Sequence, residues 1–223
     1  MLGHLSTSKI IPHGISHKNS QDFVDAAEDK FPKDEKRGIE CVYISNGDLY
    51  KHQWNVIEAI HQLRCLHLNV NLHLVGGAEP RSEKKIKSAI MKFDPHSKFV
   101  KLTGFVSHNM VQEIIENSDI FVFASSCENM PNTLLEGMRS HVPIACSDRG
   151  PMPEVLGRGG VYFNPENPSS ISQAIETIIF NKSTRKKIVR SAAENVLSFS
   201  WQRCARETWL HIFEILAGNK KSK

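Results

Sequence analysis

From Cys41 onward the chain alternates short apolar runs with longer stretches patterned as helices, and no other feature limits its fold so tightly. "CVYIS" (41–45), "VNLHLVGG" (70–77), "KFVKLTG" (98–104), "DIFVFAS" (119–125), "HVPIACSD" (141–148) and "GVYF" (160–163) read as strands. Helical patterns lie between them at 54–66, 82–93, 109–118 and in the short "MPEVLG", then close the chain at 169–180, 184–199 and 201–216. In the first of these, Trp54, Ile57, Ile60 and Leu63 recur at helical spacing. "DIFVFAS" is almost wholly apolar, as expected of a strand buried on both faces. This alternation implies an α/β fold: a Rossmann-like parallel sheet with helices on both faces. Ligands on such sheets sit at the carboxyl ends of the strands, in the loops that lead into helices.

One of those loops carries unusual chemistry. "SSCENMPNTLLEGMRSHVPI" (125–144) holds Glu128 and Glu136 with seven residues between them, and Pro131 stands at the expected start of a helix. Proline suits the first helical position, because its missing N–H has no partner there and its φ is already helical. A helix start is an anion site, through unpaired N–H groups and about half a positive charge. The amides of Asn132, Thr133, Leu134 and Leu135 are therefore candidates to hold a diphosphate. Helical side chains lean back toward the N-terminus, so Glu136 can reach the opening that Glu128 borders. Carboxylates repel phosphate and accept from vicinal hydroxyls, such as those of a ribose or a sugar. The alternative for Glu136 is a solvent-exposed helix glutamate, and for Glu128 a favourable charge near a helix start. Lys51, in "SNGDLYKHQWN", faces the strand ends and could neutralise a phosphate, or be a surface lysine. Gly76 and Gly77 allow close backbone approach but do not form G-x-G-x-x-G, so a nicotinamide or flavin site is unsupported. Gly104 ends a strand where backbone could border a base, or simply turns.

Composition narrows the classes. The 28 basic and 24 acidic side chains leave +4, too balanced to argue for nucleic acid. Five dispersed cysteines without C-x-x-C suggest neither a disulfide framework nor a zinc ribbon, and Cys41 and Cys146 sit in apolar runs. A reducing cytoplasm fits best. The eleven histidines show no metal-binding spacing, so no metal and no cofactor is expected. No apolar run reaches the roughly 18 residues of a membrane span. The polar stretch from His17 to Arg37 reads as an exposed linker.

Taken in order, these segments resemble the donor-binding half of the group 1 (family 4) retaining glycosyltransferases of GT-B fold. "KIIPHGI" (9–15) looks like entry into the second lobe, and "YISNGDLYKH" matches the first strand and phosphate turn. "LVGGAE" and "LTGFVS" match the next strand ends, and "SDIFVFASSCENMPNTLLEGM" carries the E-x7-E signature. "VPIACSDRGPMPEVLG" and "GGVYFNPENP" follow in sequence, and "FSWQRCARETW" (199–209) resembles the closing helix. The resemblance implies an interlobe segment and linker over 1–40, and a nucleotide-sugar binding domain over 41–200. A closing helix at 201–217 and a basic tail at 218–223 complete it. It places Glu128 on the transferred sugar, Glu136 on the ribose, and Lys51 with the helix-start amides on the diphosphate. Asn129 and Met130 would line the sugar pocket, and base choice depends on backbone near Phe105 and Val106. The implied reaction transfers a glycosyl group from a UDP-, GDP- or ADP-sugar to a glycan or lipid-linked acceptor with retention, without an essential metal. Peripheral association with the inner membrane is compatible with such an acceptor.

Three departures stand against the pattern. Asn46 occupies a position where many members carry arginine. His141 replaces the glycine of "S-G-x-P". The acceptor-binding first lobe is expected to be missing, so a partner lobe would have to supply it. The competing expectation is a non-catalytic nucleotide-sugar-binding module or a truncated, inactive transferase.

Overall fold

The computed structural model describes residues 8–16, 31–34 and 36–219. Six strands form one sheet: β1 (Ile39–Ile44), β2 (Val70–Val75), β3 (Val100–Thr103), β4 (Ile120–Phe123), β5 (Ile144–Ser147) and β6 (Gly160–Phe163). Their order is β3-β2-β1-β4-β5-β6, and every neighbouring pair is parallel. The chain thus builds outward from β1 to β3, then returns to β4 beside β1 and builds the other way. Loops leaving β1 and β4 therefore diverge, opening a crevice at the point where doubly wound sheets receive their ligands.

Burial explains the strand composition. All four residues of β4 and all four of β5 are buried, as are the last four of β1, because helices cover the sheet on both sides. β3 is an edge, and Lys101 and Leu102 point outward there. Helices α1 (Gln53–Cys65), α2 (Pro80–Phe93), α3 (His108–Glu116), α4 (Asn132–Arg139) and α5 (Met152–Leu156) follow successive strands. After β6 come α6 (Pro168–Phe180), α7 (Lys182–Val196) and α8 (Trp201–Asn219). Ile57, Ile60 and Leu63 of α1 are wholly buried, and the helix packs on α2 and α6. Cys41 and Cys146 are core residues, as their apolar runs indicate.

α4 lies unusually close to the sheet. A Cβ on Gly137 would come within 2.5 Å of the Phe121 ring, so only glycine lets this helix approach β4. Pro131 is the N-cap of α4, with ψ at 75°, and not its first helical residue. The helix begins one residue later than its proline suggested, an ordinary uncertainty of helix ends.

The stretch read as an exposed linker is partly docked. Residues 17–30 and 35 lie outside the described residues, as does Met1–Thr7. The Lys33 amide, however, donates to Asp119 Oδ1 at 2.7 Å, and Arg37 pairs with Asp119 Oδ2 at 3.4 Å. Asp119 is buried and also accepts from the Glu40 amide at 2.8 Å. A buried carboxylate demands such donors, which fasten this segment to the sheet's entry edge. At the other end, α8 runs through residue 219, into the stretch expected to be tail; residues 220–223 are not described.

α8 differs from the other helices. Cys204, Glu207, His211 and Ile215, recurring at helical spacing, are its partly covered face. Trp201, Trp209, Ile212, Phe213 and Leu216 are exposed, Trp209 by 61% and Phe213 by 62%. The entering segment 8–16 runs beside its start. The Ile15 amide donates to Phe199 O at 3.1 Å, and a Cβ on Gly14 would collide with the Trp201 backbone.

Candidate functional site

The site grows from the end of β1. Gly47 donates to Gly77 O at 2.6 Å and Glu79 donates to Gly47 O at 2.9 Å, lacing the β1 loop to the β2 loop. A single 3-10 turn, Leu49–Lys51, then points toward β4. Three contacts fix it there. The buried Tyr43 hydroxyl donates to Lys51 O at 2.9 Å, and burial pushes this phenol well up, so it stays a donor. The Ser126 amide, from the loop after β4, donates to Tyr50 O at 2.8 Å, while His52 Nε2 lies 2.9 Å from Ser126 Oγ. Burial lowers the His52 pKa, which favours the neutral ring in this contact.

These stitches bring together two residues 77 positions apart. Lys51 Nζ contacts Glu128 Oε1, with the two side chains only 11% and 15% exposed. The ammonium also lies 4.9 Å from the Tyr50 ring centre and 5.8 Å from that of Phe123. A cation and a carboxylate held at the β1/β4 crevice can exchange each other for a ligand's anion and hydroxyls.

The second glutamate has a different neighbour. Glu136 Oε1 is 3.3 Å from His108 Nδ1, at the start of α3. Burial raises the Glu136 pKa, and the positive charges of His108 and Arg139 oppose the rise. Arg139 itself is engaged elsewhere, with Ser16 O and with Gln112 Oε1 at 2.6 Å.

The helix-start amides are fewer than their spacing promised. Leu134 and Leu135 donate to Pro131 O at 3.0 and 3.2 Å, and Asn132 donates to Met130 O at 2.9 Å. Both leucine side chains are core, so Leu134 could meet a ligand only through its backbone, whose amide is turned to Pro131 O. Thr133 alone of the four has an amide that meets no acceptor among the described residues. Asn132 is exposed, with its Oδ1 3.3 Å from His13 Nδ1. Asn129 is exposed and Met130 half-buried in the same loop.

On the β2–β3 side, Gly76 is obligatory. Its φ is 121°, and an added Cβ would sit 2.2 Å from Ser45 O. Its amide donates to Thr103 O at 2.9 Å and reaches Gly104 O at 3.2 Å. Gly104 faces open space, whereas Phe105 is 80% exposed with its ring against Gly77. Asn46 is exposed on the β1 loop. Among the described residues, no three His, Cys, Asp or Glu converge as a metal cluster.

Tyr43, His52, Ser126 and His108 are the residues that spacing did not reveal. Each acts through a contact that the folded backbone creates, and only the adjacency of His52 to Lys51 could have signalled one of them.

The profile of the glycosyl transferases group 1 family matches residues 25–195. An uncharacterised glycosyltransferase of Methanocaldococcus jannaschii is 27% identical over 119 residues, 52% of this chain and 30% of its own length. The O-antigen chain mannosyltransferase B of Escherichia coli is 26% identical over 110 residues, 49% of this chain and 29% of its own. Among solved structures, a glycosyltransferase of Rickettsia africae superposes with a TM-score of 0.73 at 22% identity, covering 92% of this chain and 56% of that one. Anabaena HepE, solved with UDP and glucose, gives a TM-score of 0.75 at 18% identity, covering 94% and 57%. The chain thus spans a little over half of these solved proteins, and its aligned part about a third of the curated relatives.

Proposed function

The chain belongs to the group 1 glycosyl transferases, and from that premise we propose that it is the donor-binding lobe of a sugar transferase. The observation that carries the reading is the Lys51–Glu128 contact in the crevice where the strand order reverses. The donor is a UDP-, GDP- or ADP-sugar; the acceptor is a glycan or a lipid-linked sugar, and peripheral association with the inner membrane would bring the lobe to the latter.

In this reading Lys51 leaves Glu128 for the diphosphate, joined by the Thr133 amide. Glu128, released, accepts from hydroxyls of the transferred sugar, with Asn129 and Met130 beside it. Glu136 accepts from the ribose, and Phe105, Gly104 and Gly76 border the base. As the bond from the anomeric carbon to the phosphate oxygen breaks, its electron pair stays on the β-phosphate. Lys51 and the helix start stabilise that growing charge more than they stabilise the bound donor. The acceptor hydroxyl forms the new bond on the same face, its proton passing to the departing phosphate, which retains configuration. No step requires a metal. Asn46 offers no second cation, which leaves Lys51 as the main electrostatic contribution.

Acceptor and part of the cleft come from another lobe. The exposed aromatic stripe of α8 and the adjoining segment 8–16 are the surface on which such a lobe would rest, since burying large apolar side chains stabilises an interface. The alternative, a nucleotide-sugar-binding module without catalysis, is favoured by Asn46 and by the αL backbone of His141, whose φ is 55°. Calorimetric titration with UDP, GDP and ADP tests the binding step, and binding of none of them overturns it. Co-expression with an acceptor lobe, with and without Glu128→Ala, tests catalysis. Turnover that depends on Glu128 rejects the module reading.

A further inference from the structure

Glu136 is held by one side chain only. Among the described residues, the sole side chain in ion-pair contact with its carboxylate is His108, at 3.3 Å, whose ring is 81% exposed. The backbone beneath the acid is fixed as well: Ser140 Oγ donates to Glu136 O at 2.7 Å, and Gln112 Nε2 donates to Ser140 Oγ at 2.8 Å. The peptide is thus braced from below, while the carboxylate's direction depends on a ring from another helix. That ring opens α3, directly after the loop that carries Gly104 and Phe105. His108 therefore ties the β3 loop to the acid on α4.

A carboxylate has about four acceptor positions, and the His108 ring stands beside one of its oxygens. The other oxygen and the remaining lone pair are left for two neighbouring hydroxyls. An unheld glutamate samples several rotamers and loses that freedom on binding, a cost that corresponds to roughly two- to tenfold in affinity for one side chain. Resting on the reading of Glu136 as the ribose acceptor, we propose that His108 is a positioning residue for that acid. It fixes the Glu136 carboxylate before the donor arrives and so sets discrimination for the ribose 2′-hydroxyl. His108 acts through Glu136 and does not itself touch the nucleotide.

The test uses the whole chain, UDP, GDP or ADP, whichever binds, and the 2′-deoxy form of the same nucleotide. His108→Ala should weaken the ribonucleotide about three- to tenfold, and the 2′-deoxy form by less than twofold. His108→Asn, whose amide can still donate, should recover most of the loss. In a Glu136→Gln background His108→Ala should change nothing further. Melting temperature should stay within a degree for both His108 variants, since the ring is mostly in solvent. Equal losses for the two nucleotides, an undiminished loss in the Glu136→Gln background, or no loss at all would each overturn the proposal. Failure of the underlying reading looks different: Glu136→Gln alone would then leave the preference for ribonucleotide over 2′-deoxy nucleotide intact, or the wild type would bind no nucleotide.

Discussion

The rim where β1 and β4 part and the helix α8 are both built from residues that soluble proteins seldom leave unresolved, and they resolve them differently. On the rim, charges are drawn inward and answered within the chain: Lys51 by Glu128 and Glu136 by His108. On α8, apolar side chains are turned outward: Trp201 is half exposed with the His13 ring stacked on it at 5.8 Å, and Trp209 and Phe213 lie against each other, ring centres 6.3 Å apart. The first arrangement pairs its charges within the chain, and in the proposed reading those pairs open for a small polar ligand. The second is a surface that water penalises by about 25 cal/mol for each Å2 of apolar area left exposed. Under the proposed function, the difference teaches that donor binding and completion of the catalyst would be separable properties, housed in separate places.

The largest effect that could break this division lies in the rim's backbone. Gly76→Val should cost at least about 3 kcal/mol, because both its positive φ and the Ser45 carbonyl at 2.2 Å reject a side chain. Chemical denaturation reads this directly, and a loss below 1 kcal/mol would mean that the β1 and β2 loops are not locked as described. Next comes the ion pair. Lys51→Met should lower nucleotide affinity at least tenfold and, in a reconstituted transferase, lower kcat by about a hundredfold, the usual worth of one such charge-stabilising group. It also leaves Glu128 largely buried without its partner, so stability should fall by about 1–3 kcal/mol. Glu128→Gln should do the reverse for the bare nucleotide, tightening UDP binding severalfold while turnover is lost, because Lys51 is freed and a negative charge is removed. Weaker UDP binding in Glu128→Gln would show that the pair does not open for the ligand.

The fold was legible because its period was. The almost wholly apolar "DIFVFAS" reads as a central strand, and alternation with helices implies parallel pairing. The site was legible as far as residue types could announce it: an acid pair around a helix start, a lysine after the first strand. What stayed hidden depends on distance across the sheet. Nothing near Lys51 in sequence says that its partner is Glu128, since Tyr43, His52 and Ser126 make that contact through bonds spanning up to 76 positions. Nor does spacing say which helix-start amides are free; Pro131 O and Met130 O claim three of four through local backbone geometry. His141 shows the opposite case. A departure visible in sequence, histidine for glycine, is met by the very αL backbone that glycine would have supplied, at a cost of about 1–2 kcal/mol.

The comparison can be sharpened on the α8 side with changes that should barely register in the isolated chain. Trp209→Ser with Phe213→Ser should alter its unfolding free energy by less than about 0.5 kcal/mol each, as expected of exposed positions, and leave nucleotide affinity unchanged. Association with a co-expressed acceptor lobe should fall at least tenfold, measured by co-purification yield or by sedimentation. Unchanged association would remove α8 from the interface. A large loss of stability would instead mean that the stripe packs within the chain.

The smallest effect belongs to the sheet lobe and concerns acid. His52, His73 and His141 are partly buried, and desolvation holds each pKa below its ordinary 6.5. A group whose pKa is lowered on folding takes up its proton more readily when unfolded, so its contribution is present above pH 6.5 and is lost as pH falls through the folded value. Glu136 works the other way: its raised pKa makes its contribution greatest below about 4.5 and erodes it as pH rises through the folded value. Three groups outweigh one between pH 7.5 and 5.5, so the melting temperature should decline over that interval. His141→Asn tolerates the αL backbone and cannot protonate, and should flatten the decline by a visible fraction. A variant whose melting temperature follows the wild-type slope would show that the His141 ring is hydrated in the folded state, and that the turn into β5 is more open than its buried neighbours Ser140 and Val142 indicate.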